Sequence, residues 1–207
     1  IIASAFGSAR PGATVTGAQR ALILDSALID ASFPLLSLKA ASAFTTALDA
    51  IHLQDKVKLA SGGAIVKLDA STLTVTSGAA FNLSGGSLLK VTGDLISLTN
   101  GSTLSILNGP VLSLTDGTVG SVVNISGALL AFGTSSGNTV NITNSLCAAA
   151  CSTIGGLKVS LQGGAGATQV SITNPIKNQG TNVLNVSPNA AVISVNGTKS
   201  KVTISGN

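Results

Sequence analysis

Seven aspartates, a single histidine and two cysteines are the side chains of this sequence best suited to proton transfer, metal ligation or covalent bonding. The carboxylates, Asp25, Asp30, Asp49, Asp55, Asp69, Asp94 and Asp116, are spread singly, whereas paired-carboxylate catalysis needs two held at a fixed separation across a scissile bond. The closest in sequence, Asp25/Asp30 and Asp49/Asp55, fall in the least regular part of the chain, and each aspartate reads as a solvated surface group. His52 is the only histidine among many serines, so no Ser-His-Asp set is assigned, and it reads as a satisfied polar residue. Cys147 and Cys151 are four positions apart, a spacing that closes a small disulfide in a turn but not along an extended strand. Zinc would need two further soft ligands that His52 does not supply, so a local disulfide is expected, with free thiols as the alternative. Gly163-Gly164-Ala165-Gly166-Ala167 lacks the Asp of calcium-binding nonapeptide repeats. No cofactor or metal is expected.

The elements that must carry these residues are set by one repeated phrase. From Val57 to Ile204 an apolar-x-apolar pair followed by Ser, Thr, Asn or Gly returns roughly every eight to ten residues. Leu89/Val91, Leu104/Ile106 and Leu112/Leu114 are typical pairs and are expected as core, because alternate residues of a strand share a face. Glycines close the octads, and Asn100-Gly101, Asn108-Gly109 and Asp116-Gly117 supply turn dipeptides. A short fixed period predicts a chain wound on itself rather than an irregular globule. The expected fold is all-β: a single-stranded β-solenoid, or β-helix, right-handed and triangular, with an irregular N-terminal cap. Three octads would make a turn of about 24 residues and six to eight rungs, two octads per turn being the alternative. A hairpin meander could use the same turns, but its outer face would carry more charge.

Composition agrees. Charged residues are 9% and aromatics 2%, with no Trp, Tyr, Met or Glu, so the core is a stack of small branched side chains and the surface is Ser, Thr, Asn and Gly. A mean hydropathy of +0.55 is too high for a disordered chain. Arg10 and Arg20 are the only arginines, and with no aromatic interleaving this excludes a nucleic-acid reader. The net charge of +4 comes entirely from Lys158, Lys177, Lys199 and Lys201, beyond the last carboxylate, which leaves weak attraction to anionic cell-surface polysaccharide open. No run of eighteen apolar residues is present, so no transmembrane helix is expected. The first residues, lacking Met, read as those of a processed or trimmed chain.

Residues 1–20 read as an N-terminal arm broken at Arg10-Pro11-Gly12, residues 21–56 as a cap or junction, and 57–207 as solenoid repeats. Ala-rich stretches such as Ala40 to Ala50 could form a short helix in that cap. Intervals around Gly133 to Asn138 and Ser145 to Gly156 interrupt the octads and are expected as corner insertions. Thr72-Leu-Thr74-Val-Thr76 resembles an ice-ordering row, but neighbouring octads place Asn82, Lys90, Ser97 and Ser105 outward, so no threonine ladder is expected.

The Leu-x-Val/Leu-Thr-x-Gly wording of residues 89 to 117 resembles the repeats of filamentous-haemagglutinin-type exoproteins and autotransporter passengers, which are surface adhesins built on right-handed β-helices. The resemblance covers 57–204 in style and implies adhesion or surface structure. The functional expectation is a non-enzymatic structural subunit of an extracellular filament or sheath, self-assembling head to tail. Ile1, Ile2 and Phe6 are the expected N-terminal mates of an uncovered final rung formed by Ile193, Val195, Val202 and Ile204. The alternatives are a cell-surface adhesin or carbohydrate-binding fragment, and a polysaccharide-active β-helix using Asp69 or Asp94.

Overall fold

The computed structural model describes residues 12–115, 120–134, 137–143, 147, 151–162, 167–196 and 200–206. Ile1, Ile2, Phe6, Asp116 and Lys199 lie outside the described residues. Among those described there is no helix, and the chain winds through three sheets.

The first turn comprises β1 (Thr14–Ala18), β2 (Leu22–Asp25), β3 (Leu28–Ala31) and β4 (Leu36–Lys39). The second is β5 (Ala43–Thr46), β6 (Ile51–Gln54), β7 (Lys58–Ser61) and β8 (Val66–Asp69), and the third β9 (Thr72–Val75), β10 (Phe81–Leu83), β11 (Leu88–Val91) and β12 (Ile96–Thr99). In the fourth, β13 (Thr103–Ile106) and β14 (Leu112–Thr115) precede one long strand, β15 (Val122–Phe132), which takes both following positions. Then come β16 (Thr139–Ile142), β17 (Cys151–Ile154), β18 (Leu157–Gln162) and another long strand, β19 (Gln169–Asn178). The last strands are β20 (Val183–Val186), β21 (Ile193–Asn196) and β22 (Lys201–Ile204).

Sheet A stacks β1-β5-β9-β13-β16-β20, so the chain makes about six turns. Sheet B runs β2-β6-β10-β14-β21-β18-β17, and the nine-stranded sheet C takes the rest, including the edge strand β22, which among the described strands pairs with β19 alone. All pairings are parallel except the β17–β18 hairpin. Leu22 pairs with Ile51, Ile51 with Phe81 and Phe81 with Leu112, steps of 29, 30 and 31 residues. A regular turn therefore uses four strands, and the expected turn of about 24 residues from three octads is corrected. The octad sets the strand spacing, but the corners decide how many strands close a turn.

The expected core residues Leu89, Val91, Leu104, Ile106 and Leu112 are fully buried, and Leu114 is nearly so. Each apolar pair stacks on its counterpart one turn away: Leu73/Val75 on Leu104/Ile106 and then Val140/Ile142. Burial of such columns is the main favourable term, at about 25 cal/mol per Å² of apolar surface.

Regular winding begins at Thr14, within the expected arm, and residues 21–56 pair in register with the turn that follows. The expected irregular cap is thus a regular turn, and the Ala40 to Ala50 stretch is no helix. Ala40 and Ala41 hold φ of 54° and 60°, which a helix does not permit, while Ala50 is fully buried at a corner beneath Ala80. Alanine serves here as a small corner filler.

The largest departure from the sequence reading is in sheet B. After β16 the chain does not lay its next sheet-B strand onto β14. It builds the β17–β18 hairpin farther out, and β21 then fills the space between, pairing with β14 on one side and β18 on the other. The Ser145 to Gly156 interval thus carries a strand, and Gly155 at its turn, with φ of 53°, lies so close over Ile204 that an added Cβ would sit 2.3 Å from its Cγ2. Ile193 and Val195 are fully buried between Leu112/Leu114 and Val159/Leu161, so the expectation that they form an open final rung is corrected. Val202 and Ile204 lie in β22 at the edge of sheet C and are half-buried.

Candidate functional site

Asp49 is the most heavily engaged carboxylate of the described structure. It sits at the corner before β6, its side chain 8% exposed, and Oδ1 accepts the Ala79 N–H of the next turn at 2.8 Å. Oδ2 accepts the Asn82 side-chain amide at 3.0 Å and lies 3.5 Å from Arg20 Nε and 3.3 Å from His52 Nδ1. Gly78 makes room for it: a Cβ there would lie 2.6 Å from Asp49 Oδ1. Burial pushes the carboxyl pKa up, but the adjacent His52 ring and its charge, with hydrogen bonds from the Ala79 N–H and the Asn82 amide, outweigh it and hold the group below its ordinary value. The reading of Asp49 as a solvated surface residue is corrected.

His52 projects outward from the middle of β6, between the buried Ile51 and Leu53, and is 13% exposed. Its Nε2 lies 3.1 Å from Ser84 Oγ, just past the end of β10. The turn-to-turn step of 30 residues therefore assembles Asp49, His52 and Ser84 in that order, a grouping the sequence reading did not assign. The signal lay in the register, since Asn82 pairs with His52 and Ser84 follows two residues on. A further link continues the chain of contacts along sheet B, where Thr115 Oγ1 donates to Asn82 Oδ1 at 3.0 Å.

Other aspartates join successive turns. Gln54 Nε2 donates to Asp25 Oδ2 at 3.2 Å, Asn100 Nδ2 to Asp69 Oδ1 at 2.6 Å, and the Ala128 N–H to Asp94 Oδ1 at 2.9 Å. Asp69 and Asp94, the candidates for polysaccharide chemistry, are engaged separately in this way. Asp94 also lines a groove of about 610 Å³ with Asn174, Ile176, Lys177, Asn178 and Gln179 on sheet C. Asp30 and Lys90 line a smaller groove of about 250 Å³.

Cys147 and Cys151 are joined by a disulfide with a Cα–Cα distance of 5.2 Å, at the entry to the hairpin. Among the described residues no group of three or more His, Cys, Asp or Glu comes together, and no helix is long and apolar enough to cross a membrane.

On sheet A the residues stacked on Thr72 are Ala43, Thr103 and Thr139, while Thr74 stacks with Thr45, Ser105, Asn141 and Asn185. Of the outward residues on which the expected absence of a threonine column rested, Asn82, Lys90 and Ser97 belong to other sheets, and Ser105 alone stacks in this one. The outward positions of β5, β9, β13, β16 and β20 carry no charge.

No family model matches this chain, and neither a curated protein nor a solved structure matches it.

Proposed function

We propose that this chain is a structural subunit of an extracellular filament or sheath whose copies stack end to end through their strand edges. The observation that carries this reading is the pairing of edges within the same sheets. Sheet A has β1 at one edge and β20 at the other, and sheet C has β3 and β4 facing one way and β22 the other. The Val183 N–H donates to Asn138 and the Ser187 N–H to Ile142, so the alternating Leu184 and Val186 amides point outward. By the same alternation, Lys201 and Ser205 donate inward to Thr168 and Ile172 and the Val202 amide points outward, while Ile204 lies under Gly155 of the β17–β18 turn. A parallel strand from a second copy satisfies those groups and completes the half-buried apolar columns, the condition for a head-to-tail contact that does not close.

The first turn supports the same reading with exposed apolar side chains: Ile23, Leu28 and Phe33 are 50%, 84% and 62% exposed. A hydroxyl- and amide-rich coat and a disulfide suit an oxidising exterior. The resemblance to filamentous-haemagglutinin-type surface proteins points the same way. Negative-stain electron microscopy and sedimentation of purified protein at rising concentration test the proposal. Rods that lengthen with concentration are expected, and monomers throughout overturn it.

The groove on sheet C favours a second reading, an adhesin that holds a saccharide. Its amides Asn174, Asn178 and Gln179 and the Asp94/Lys177 charges are the groups that bind hydroxyls. Glycan-array binding by monomers, lost in Asn178→Ala, would favour it over filament assembly.

A further inference from the structure

We propose that Asp49, His52 and Ser84 form a nucleophilic relay that cleaves a carboxylic ester presented to the outer face of sheet B. Nucleophilic catalysis by serine requires a base within hydrogen-bond reach of the hydroxyl and a third group orienting the base. Ser84 Oγ lies within hydrogen-bond reach of His52 Nε2 at 3.1 Å, and the Asp49 carboxylate stands 3.3 Å from His52 Nδ1, beside the ring but not aligned on its N–H as a hydrogen bond, an alignment that catalytic sites often complete only with substrate bound. The carboxylate beside Nδ1 keeps the proton of the neutral ring on that nitrogen, which leaves the Nε2 lone pair facing the serine hydroxyl. Asp49 is itself fixed from two further directions, by the Ala79 N–H and the Asn82 amide, so it acts as a positioning residue held by the next turn.

The turn after Ser84 supplies a further part. The Ser84 N–H is taken by the Leu53 carbonyl at 2.9 Å. Gly85 follows at φ of 65°, and among the described residues its N–H has no acceptor. In hydrolases whose nucleophile sits on a tight turn, the N–H of the next residue is one of the donors to the developing oxyanion. The flanking groups are Gln54, Asn82 and Thr115, amides and a hydroxyl, and the Asp55 carboxylate, which a Cβ on Gly85 would meet at 2.9 Å. They suit a short acyl ester on a polyhydroxylated carrier, reached from an open face.

The step balances with water as the only co-reactant. Ser84 Oγ bonds to the ester carbonyl carbon as its proton passes to His52 Nε2. The carbon–alkoxide bond then breaks and the imidazolium gives its proton to the leaving oxygen. Water, deprotonated by His52, attacks the acyl-serine, and the bond to Oγ breaks, releasing carboxylic acid and restoring the hydroxyl.

The relay is independent of end-to-end stacking, because it lies on the second and third turns, within the body of the sheet. The test uses the whole chain with two probes, a fluorophosphonate and p-nitrophenyl acetate. A single phosphonyl adduct mapped by peptide mass spectrometry to Ser84, and ester hydrolysis above the buffer rate, are expected. Ser84→Ala should abolish both, and His52→Gln should lower hydrolysis about 10²- to 10⁴-fold, the usual worth of a positioned base. Circular dichroism of the variants reports their fold, and the adduct site on the unaltered protein decides the matter even if a variant fails to fold. An unlabelled protein, an adduct on another serine, or a folded Ser84→Ala chain that hydrolyses at the original rate overturns the proposal.

Discussion

The Asp49 carboxylate and the Ala79 backbone N–H, 30 residues apart, meet at 2.8 Å between adjacent turns of the solenoid. The contact replaces a backbone acceptor at a corner, where the chain is changing sheets and its own carbonyls point elsewhere. Removing the carboxylate strands a buried donor, so Asp49→Ala should cost about 1–3 kcal/mol in chemical denaturation. The pH dependence has a definite sign. Because the folded-state pKa is lowered below the ordinary value of 3.8, the ionised group stabilises the fold above that value. That stability is lost as the pH falls through the folded value, and Asp49→Asn should flatten this acid limb in urea titrations.

Ser71, Ser102, Asn138 and Asn182 form a second internal ladder before the sheet-A strands. The Ser71 N–H donates to Ser102 Oγ at 3.2 Å, the Ser102 N–H to Asn138 Oδ1 at 2.9 Å, and the Asn138 N–H to Asn182 Oδ1 at 3.0 Å. Ser102 is fully buried and returns its own hydroxyl proton to the Thr99 carbonyl at 2.6 Å. Ser102→Ala should therefore cost about 1–3 kcal/mol, whereas Ser105→Ala on the outer face should stay within about 0.5 kcal/mol. Parallel thermal melts separate the two.

Leu112 is fully buried between Phe81 and Ile193. Leu112→Ala should cost about 2–5 kcal/mol and remain cooperative, while Leu112→Asp places an unpaired charge in the stack and should abolish strand-type circular dichroism.

Proline at an outward-facing amide tests edge stacking without removing an internal hydrogen bond. Leu184→Pro and Val202→Pro each delete a donor aimed away from the body and should block polymerisation while leaving monomeric circular dichroism intact. Polymers of unchanged length by electron microscopy would count against stacking through β20 and β22.

Sequence alone carried the apolar columns, because an alternating pair such as Leu104/Ile106 has one way to face a core. The number of strands per turn was not legible, since glycine and Asn-Gly corners serve a turn of three octads or of four equally well. The regular turn of residues 21–56 is not legible because alanines at corners look like helix formers until their neighbours one turn away are known. The placement of β21 was hidden for a related reason: Val159/Leu161 and Ile193/Val195 share one apolar phase, and phase does not say which pair lies against Leu112/Leu114. The relay residues were visible as types, but only the register of 30 brings Ser84 to His52.

The position of β21 also bears on how the fold yields to force. In an ordinary solenoid, tension on the C-terminal side strips strands one by one, each step breaking a single row of backbone bonds. Here β22 can peel away along one edge, but β21 is bonded on both edges, to β14 and to β18. The hairpin is thus a latch: unravelling halts at Ile193 until two rows rupture together, and the turns beneath are relieved of the load.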